Sequence, residues 1–194
     1  MSSKISIEFF EFFILSQKSS ILFELGNFPA IDTTATSVDF TGDVHKVTID
    51  GEKEILADTV IIATGASAKW LGLPSEEKLR MNGGAVSACA VCDGFFYRGK
   101  EVAVVGGGDT AAEEATYLAK LCKKVTMLVR KDEMRASKAM QHRVNNTENL
   151  DVLYNSELDE VLGNMVVEGV RVVNNQTQKK HEIEVTGVFI AIGH

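Results

Sequence analysis

The chain has 194 residues, of which 45% are hydrophobic and 24% are charged, and it carries a formal net charge of −7. This length allows one domain of ordinary size, or one complete domain and part of another. The acidic balance argues against nucleic acid as the main partner, because phosphate backbones are bound through clustered lysine and arginine.

Residues 1–35 are predicted to be a leader outside the main domains. The apolar run Ile5–Leu15 is interrupted by Glu8 and Glu11 and is too short to span a bilayer, so we expect no membrane partner. The run also lacks the uninterrupted apolar centre of a secretory signal. Two interpretations remain open. The run packs its phenylalanines on a core as a helix or strand, or the stretch is a translated leader unrelated to the rest.

Alternating and apolar runs predict strands after this leader, at Thr36–Phe40, Val44–Ile49 and Ile55–Thr64. Asp50-Gly51 predicts a hairpin turn, because both residues tolerate positive φ. The run Thr59–Ala63 has the character of a fully buried strand. It ends in Thr64, Gly65 and Ala66, and small residues there let a ligand approach the backbone, although tight packing explains them equally well. Residues 71–84 are polar and rich in turn formers, which predicts a hinge between two domains.

Cys89 and Cys92 form a paired-thiol motif, followed directly by Asp93. Next to a strand–turn–helix pattern, such a pair indicates an intracellular redox motif, and we expect a cytoplasmic protein. A zinc half-site is the alternative, but Cys122 and the scattered histidines lack ligand spacing, so we predict no metal. Cys122 is interpreted as a small core residue.

We predict a short helix that is capped by Ser87 and carries both paired cysteines in its first turn. This spacing places the two sulfurs on one helical face, close enough to bridge. A helix N-terminus also favours the thiolate and lowers the pKa of a cysteine. Asp93 is placed to exchange a proton with a thiol, or it is an ordinary N-terminal helix charge.

A glycine turn follows a predicted buried strand, Lys100–Val105. In the pattern Gly106-x-Gly108-x-x-Ala111, Gly106 permits a tight turn, Gly108 lets a pyrophosphate approach the backbone, and Ala111 allows the helix to pack closely. A helix at Thr110–Leu121 and a strand at Lys124–Val129 complete a βαβ unit. The helix N-terminus faces the phosphates, so Asp109 and Thr110 join the glycines as candidate nucleotide ligands.

Basic residues stand where a site for NAD places an acidic one. Arg130, Lys131 and Arg135 follow the second strand of the βαβ unit, which favours the 2′-phosphate of NADPH. A solvated basic face is the alternative.

The remaining pattern predicts a helix at Ala136–Val144 and five further strands. These strands are Val152–Tyr154, Leu158–Leu162, Val166–Val173, His181–Val185 and Val188–Ile192. All but the last are interpreted as an antiparallel appendage. The last run ends in Gly193-His194 and repeats the strand-then-glycine pattern of Thr64-Gly65.

From about residue 36 to residue 194, the motifs resemble the low-molecular-weight thioredoxin reductases of bacteria and plants. The blocks that carry the resemblance are IIATGASAKWLGLPSEE (61–77), CAVCDG (89–94), GGGDT (106–110), VRKDEMRASK (129–138) and FIAIGH (189–194). The resemblance implies a homodimeric flavoprotein in which NADPH reduces FAD, FAD reduces a Cys89–Cys92 disulfide, and the dithiol reduces thioredoxin. It also implies that Cys92 faces the flavin, that Cys89 attacks thioredoxin and that Asp93 is the acid or base.

Two departures from the family pattern shape the expected architecture. Val129 stands where the family usually has histidine, which weakens selection against NADH. Gly26 is the only glycine among residues 1–35, so the glycine fingerprint that holds the FAD pyrophosphate is missing. We therefore expect an α/β protein, with a Rossmann-like NADPH-binding domain inserted in a partial FAD-binding domain.

The predicted domains are a leader (1–35), a partial FAD domain with hinge (36–84), the NADPH-binding and disulfide domain (85–187) and a truncated return strand of the FAD domain (188–194). Thr64, Gly65 and Ala66 would be the remnant of the FAD site, which we expect to hold FAD weakly or not at all. Three hypotheses follow: a fragment of a thioredoxin reductase, a flavin-free NADPH-binding or thiol-redox module, and an inactive remnant.

Overall fold

The computed structural model describes residues 13–16, 34–63, 65–81, 83 and 85–193. The chain divides into two compact units, which we call unit 1 (Met1–Ala66) and unit 2 (Ser67–His194). Among the described residues, no helix combines the length and hydropathy that crossing a bilayer requires. Most of the predicted leader lies outside the described residues.

Unit 1 consists of short strands in its described part. They are β1 (Phe13–Ser16), β2 (Ala35–Asp39), β3 (His45–Ile49), β4 (Lys53–Ala57) and β5 (Val60–Ala63). Strands β2, β3 and β4 form an antiparallel sheet, and β1 pairs with β5 in parallel. The predicted hairpin at Asp50-Gly51 is confirmed, because both residues have positive φ, 51° and 77°.

The core of unit 1 is small. Val47, Ile49 and Ile55 are buried together, and Val60 packs against them. The prediction of a fully buried strand at Thr59–Ala63 is wrong, since Ile62 is 60% exposed. Among the described strands β5 pairs with β1 alone, and a two-stranded sheet leaves apolar side chains open to solvent.

Unit 2 contains a larger set of helices and strands. In chain order they are α1 (Pro74–Met81), β6 (Val86–Ser87), α2 (Ala90–Asp93), a 3₁₀ turn (Gly94–Tyr97), β7 (Glu101–Val105), α3 (Asp109–Ala119), β8 (Lys124–Val129), α4 (Lys138–Asn145), β9 (Leu150–Tyr154), β10 (Ser156–Leu162), β11 (Gly169–Asn174), β12 (Lys180–Ile183) and β13 (Gly187–Ile190). The predicted βαβ unit is confirmed as β7, α3 and β8.

A five-stranded parallel sheet in the order β6-β13-β7-β8-β9 forms the centre of unit 2. Its strands are apolar on both sides, as expected when both faces of a parallel sheet are covered. On one face, side chains of the sheet pack against α3 and α4, and they include Val104, Met127 and Phe189. On the other, they pack against α1 and the antiparallel sheet β10-β11-β12, and they include Val105, Leu128 and Ile190.

The segment 71–84, predicted to be turn-rich, contains helix α1 in its middle, and its role as a hinge stays a prediction. Pro74 begins the helix, and Glu76, only 1% exposed, accepts hydrogen bonds from the backbone N–H groups of Leu71 (3.0 Å) and Gly72 (2.8 Å). Leu79 is buried against the sheet. The division between the units accordingly falls at Ala66, before this segment.

Two strands lie in a different sheet from the one predicted. Strand β9 belongs to the parallel sheet rather than to the antiparallel appendage. Strand β13, within the predicted FAD return segment 188–194, lies in the sheet of unit 2, where Phe189 pairs with Val104 and Ser87. Its run of buried apolar residues suits an interior position of a parallel sheet.

Candidate nucleotide and thiol site

Cys89 and Cys92 form a disulfide at the start of α2, with their Cα atoms 5.3 Å apart. The prediction that Ser87 caps this helix is wrong, because Ser87 ends strand β6 and Cys89 is the capping residue. The Ser87 hydroxyl accepts a hydrogen bond from Cys89 N–H at 3.0 Å. Cys89 Sγ in turn accepts one from Cys92 N–H at 3.2 Å. Once the disulfide is reduced, that N–H is available to stabilise a thiolate on Cys89.

The residues after the disulfide anchor it to the sheet. Tyr97 is buried and contacts the Phe189 ring edge to face, with centroids 5.3 Å apart. A Cβ at Gly187 would lie 2.3 Å from Tyr97 Cε1, so only glycine leaves room for this ring. Burial raises the pKa of the Tyr97 hydroxyl, and the nearby charge of Asp93 raises it further. Asp93 itself is half-buried and lies at the end of α2, directly after the disulfide.

The glycine turn follows β7, and its backbone is closely packed. Gly106 has φ 150°, and a Cβ there would lie 2.3 Å from the carbonyl oxygen of Ala191 and 2.7 Å from Ala111 Cβ. A side chain at this position would collide with the end of β13. Ala111 is fully buried beneath the turn. The small residues predicted for close packing occupy the positions that need them.

Gly108 is in a different situation, because it caps α3 and a Cβ there would meet no atom within 4 Å. Its backbone lies open to a ligand at the end of the helix. Asp109 and Thr110 begin α3, and both side chains are exposed. The Asp109 carboxylate accepts a hydrogen bond from Ser137 N–H at 2.9 Å, and this bond lowers the pKa of Asp109.

The basic residues lie on a loop that hydrogen bonds hold to the glycine turn at one end and to Asn155 and Asn175 at the other. Arg135 N–H donates to the carbonyl of Gly107 at 2.7 Å. The carbonyl of Arg130 accepts from the Asn175 amide at 2.6 Å, and that of Lys131 accepts from Asn155 N–H at 2.9 Å. The side chains of Arg130, Lys131 and Arg135 are exposed, and none forms a salt bridge with a described residue. Three free cations therefore adjoin the glycine turn.

These features fit a dinucleotide with a 2′-phosphate. The open backbone at Gly108 and the N-terminus of α3 suit a pyrophosphate, and the cationic loop suits a further phosphate. The order strand, glycine turn, helix and strand places these groups at the carboxyl edge of the parallel sheet, where ligands of such sheets bind.

The residues predicted as a remnant of the FAD site belong to unit 1. Thr64 lies outside the described residues, while Gly65 and Ala66 are exposed after β5, with φ 76° at Gly65. Within the described part of unit 1, no glycine turn leads into a helix that would receive a pyrophosphate. The described residues of unit 1 do not fit a complete FAD site.

Cys122 is buried, as predicted, and burial raises the pKa of its thiol to about 11. Such a thiol is inert as a nucleophile at neutral pH. Among the described residues, no group of three or more histidine, cysteine or acidic side chains is arranged to hold a metal ion.

Sequence analysis missed Glu114. It lies on the face of α3 that carries Ala111, Ala115 and Leu118, all fully buried. A charged residue within this i, i+3, i+4 and i+7 stripe of otherwise apolar positions was the available indication. Burial raises the pKa of the Glu114 carboxyl, and the backbone N–H of Ala90, beside the disulfide, lowers it.

The chain is similar to known proteins in both sequence and structure. It is 45% identical over 158 residues to a thioredoxin reductase of Mycolicibacterium smegmatis, covering 81% of this chain and 50% of the relative. It is 50% identical over 169 residues to a glucosaminate ammonia-lyase of Pseudomonas fluorescens, covering 85% of this chain and 49% of the relative. The structure of thioredoxin reductase from Giardia duodenalis matches with a TM-score of 0.71 and 39% identity, covering 84% of this chain and 53% of that one.

The chain spans about half the length of the curated relatives it matches. The match to the Giardia duodenalis structure confirms the predicted α/β fold class. The parallel sheet is of the type found in flavoproteins with two dinucleotide-binding domains. The family model described as pyridine nucleotide-disulphide oxidoreductase matches residues 14–194. The chain therefore belongs to the pyridine nucleotide-disulphide oxidoreductase family.

Proposed function

We propose that this chain carries the NADPH-binding and thiol-exchange part of a thioredoxin-disulfide reductase. The observation that carries the proposal is the Cys89–Cys92 disulfide on a short helix packed against α3, the helix that follows the glycine turn. A redox-active thiol pair and a dinucleotide site thus share one unit. The similarity to proteins named thioredoxin reductase supports thioredoxin as the partner.

In this proposal the nucleotide lies across the glycine turn. Gly108 leaves the backbone open to the pyrophosphate, with Asp109 and Thr110 beside it, and Arg130, Lys131 and Arg135 pair with the 2′-phosphate. Gly106 is needed for the turn itself. Since Val129 contributes no polar group, selection against NADH depends on these three cations alone.

The dithiol then reduces the partner by thiol–disulfide exchange. The Cys89 thiolate attacks one sulfur of the thioredoxin disulfide, forms a mixed disulfide and releases the other sulfur as a thiolate, which takes a proton. The Cys92 thiolate next attacks Cys89 Sγ, re-forms the Cys89–Cys92 disulfide and releases reduced thioredoxin. Cys89 is favoured as the nucleophile because its sulfur accepts the Cys92 N–H, and Asp93 is placed to take up or deliver the proton.

Electrons from NADPH reach the disulfide through a flavin in this family, and a bound FAD supplies the hydride chemistry that side chains lack. The described residues of unit 1 do not form a complete FAD site. Gly65 and Ala66 would lie at the edge of the FAD site. We propose a homodimer in the cytoplasm as the setting, where reduced thiols are maintained.

The nucleotide and thiol halves of the proposal are tested separately on the full chain. NADPH at saturating concentration should raise the thermal unfolding midpoint of unit 2, and NADH should raise it less. After reduction and removal of the reductant, the chain should convert thioredoxin disulfide to dithiol with equal loss of its own thiols. No protection by NADPH would overturn the nucleotide half, and no exchange would overturn the thiol half.

Variants of the two cysteines assign the roles. Cys92→Ser should accumulate a mixed disulfide between Cys89 and thioredoxin, whereas Cys89→Ser should not. The reverse pattern would exchange the roles of the two thiols.

The chain should also be mixed with FAD, desalted and scanned in the visible range. Retained flavin that bleaches with NADPH would show a complete electron path, and its absence would favour the flavin-free module.

A further inference from the structure

Glu114 forms a polar contact between α3 and the thiol-bearing helix α2. Helix α2 lies close to α3 because Ala90 is fully buried and Gly94 has no side chain. A Cβ at Gly94 would lie 3.0 Å from Leu118 Cδ2 and 3.3 Å from Tyr117 Cε1. Glu114 precedes Leu118 by one turn of α3, as Ala90 precedes Gly94 by one turn of α2, so Glu114 lies beside the first residue of the thiol-bearing helix.

The environment of Glu114 is unfavourable for a charge. Its Oε2 atom is buried and has no hydrogen-bond partner among the described residues. Burial raises the pKa of Glu114, the Ala90 N–H lowers it, and the neighbouring Glu113 raises it. An acidic side chain kept in such a place costs stability, which an apolar residue on the same stripe would not.

Two N–H groups in the first turn of α2 face different acceptors. Cys92 N–H donates to Cys89 Sγ, and Ala90 N–H faces the Glu114 carboxylate. The negative charge of Glu114 opposes a second negative charge on the same turn. Two further groups lie on this segment, Asp93 at the end of α2 and Tyr97 in the 3₁₀ turn.

We propose that Glu114 is a positioning residue for the Cys89–Cys92 pair: it holds the first turn of α2 through Ala90 and, as an anion, makes the thiols harder to ionise. This inference deepens the proposed thiol function and rests on it. It assigns to the nucleotide-binding helix a direct influence on the reduction of the disulfide. A less stable thiolate disfavours the dithiol and makes the pair a stronger reductant.

The test is the equilibrium of the full chain with dithiothreitol at pH 8, where one disulfide is reduced for each dithiothreitol oxidised. Glu114→Gln keeps an acceptor for Ala90 N–H and removes the charge. We expect this variant to lower the pKa of the more acidic thiol by about half a unit to one unit, read from the pH dependence of alkylation. The equilibrium should move about threefold to tenfold toward the dithiol.

Glu113→Gln is the matched control, because it removes the same charge from the adjacent, exposed position of α3. Glu113→Gln should leave both the thiol pKa and the equilibrium at wild-type values. Equal behaviour of Glu114→Gln and Glu113→Gln, or no change in either, would overturn the proposal. Glu114→Asp, which keeps the charge but draws it back, should lie between Glu114→Gln and the wild type.

A measurement on the wild-type chain covers the case in which Glu114→Gln does not fold. In the reduced chain the thiol ionises next to a carboxylate that is already charged, so the carboxyl carbon NMR signal of Glu114 should show a second pH-dependent step at the thiol pKa, which the disulfide form lacks. A signal without that second step would overturn the proposal. Neither measurement uses NADPH, FAD or thioredoxin, so a failure here is distinct from a failure of the proposed function.

Discussion

The two units of the chain secure their strands in different ways. In unit 2 a parallel sheet is covered on both faces, and side chains such as Phe189 and Val188 are fully buried. In the described part of unit 1 only Val47, Ile49 and Ile55 form a buried cluster. Because apolar burial is the main stabilising contribution, we expect unit 2 to account for most of the folding free energy.

The loops differ in how far their contacts reach along the chain. The loops around the glycine turn of unit 2 are held by residues distant in the chain, as Asp109 holds Ser137 and Asn175 holds Arg130. In the antiparallel sheet of unit 1 the turn after β2 is held locally, by Asp39 and Thr41, while the turn after β3 is held by Thr34 and Thr36, at the start of β2. Distant contacts position a loop relative to a whole unit, whereas local contacts only shape the turn. A precise ligand site is better supported by the first arrangement.

The largest expected effect separates the two cores. Phe189→Ala should destabilise unit 2 by about 4 kcal/mol, and Val47→Ala should destabilise unit 1 by about 2 kcal/mol, because each leaves a cavity. Urea unfolding should be followed by circular dichroism and by the fluorescence of Trp70, the single tryptophan, which lies in unit 2. The Trp70 transition should move with Phe189→Ala alone.

Leu56→Ala serves as the control for these two substitutions, because Leu56 is 48% exposed on β4. It should change the stability by less than about 0.5 kcal/mol. If Val47→Ala shifts the Trp70 transition as much as Phe189→Ala does, the two units unfold as one and their cores do not contribute separately to stability.

A smaller effect distinguishes folding from binding within unit 2. Gly106→Ala should cost about 3 kcal/mol, since its Cβ would collide with the Ala191 carbonyl at a positive φ. Gly108→Ala, with open space around it, should change stability by less than about 1 kcal/mol. It should nevertheless abolish the thermal protection by NADPH. Retained protection in Gly108→Ala would show that the pyrophosphate lies elsewhere.

The smallest effect concerns the loops at acidic pH. Hydrogen bonds from Ser137 lower the pKa of Asp109, and those from Thr41 lower the pKa of Asp39. A carboxyl whose pKa is lowered by folding contributes stability above its unfolded pKa, near 4, and loses it as pH falls through the folded value. Asp109→Asn should therefore weaken the acid sensitivity of unit 2, and Asp39→Asn that of unit 1.

Urea midpoints between pH 6 and pH 2, followed by the same two probes, check this pair. The difference between wild type and Asp109→Asn should shrink as the pH falls. A difference that stays constant over this range would mean that the charge of Asp109 contributes nothing and that the hydrogen bond to Ser137 is held equally well by an amide.

Much of unit 2 was predictable because its pattern is local. Strand β8 runs from Lys124 to Val129 as predicted, and α3 follows the glycine turn as the βαβ motif requires. The hairpin at Asp50-Gly51 was equally predictable, since few residues adopt positive φ at both positions. The candidate residues Cys89, Cys92, Gly106 and Gly108 all come from such short motifs.

Tertiary structure alone decided which strands pair and which polar side chains are buried. Phe189 lies beside both Val104 and Ser87, and no local pattern specifies partners so distant in the chain. The same holds for the burial of Glu76 and for the contact of Glu114 with Ala90. A short motif depends on local backbone geometry, which the sequence determines by itself. Strand order and buried polar contacts depend on how separate elements fill one core, which only the folded chain decides.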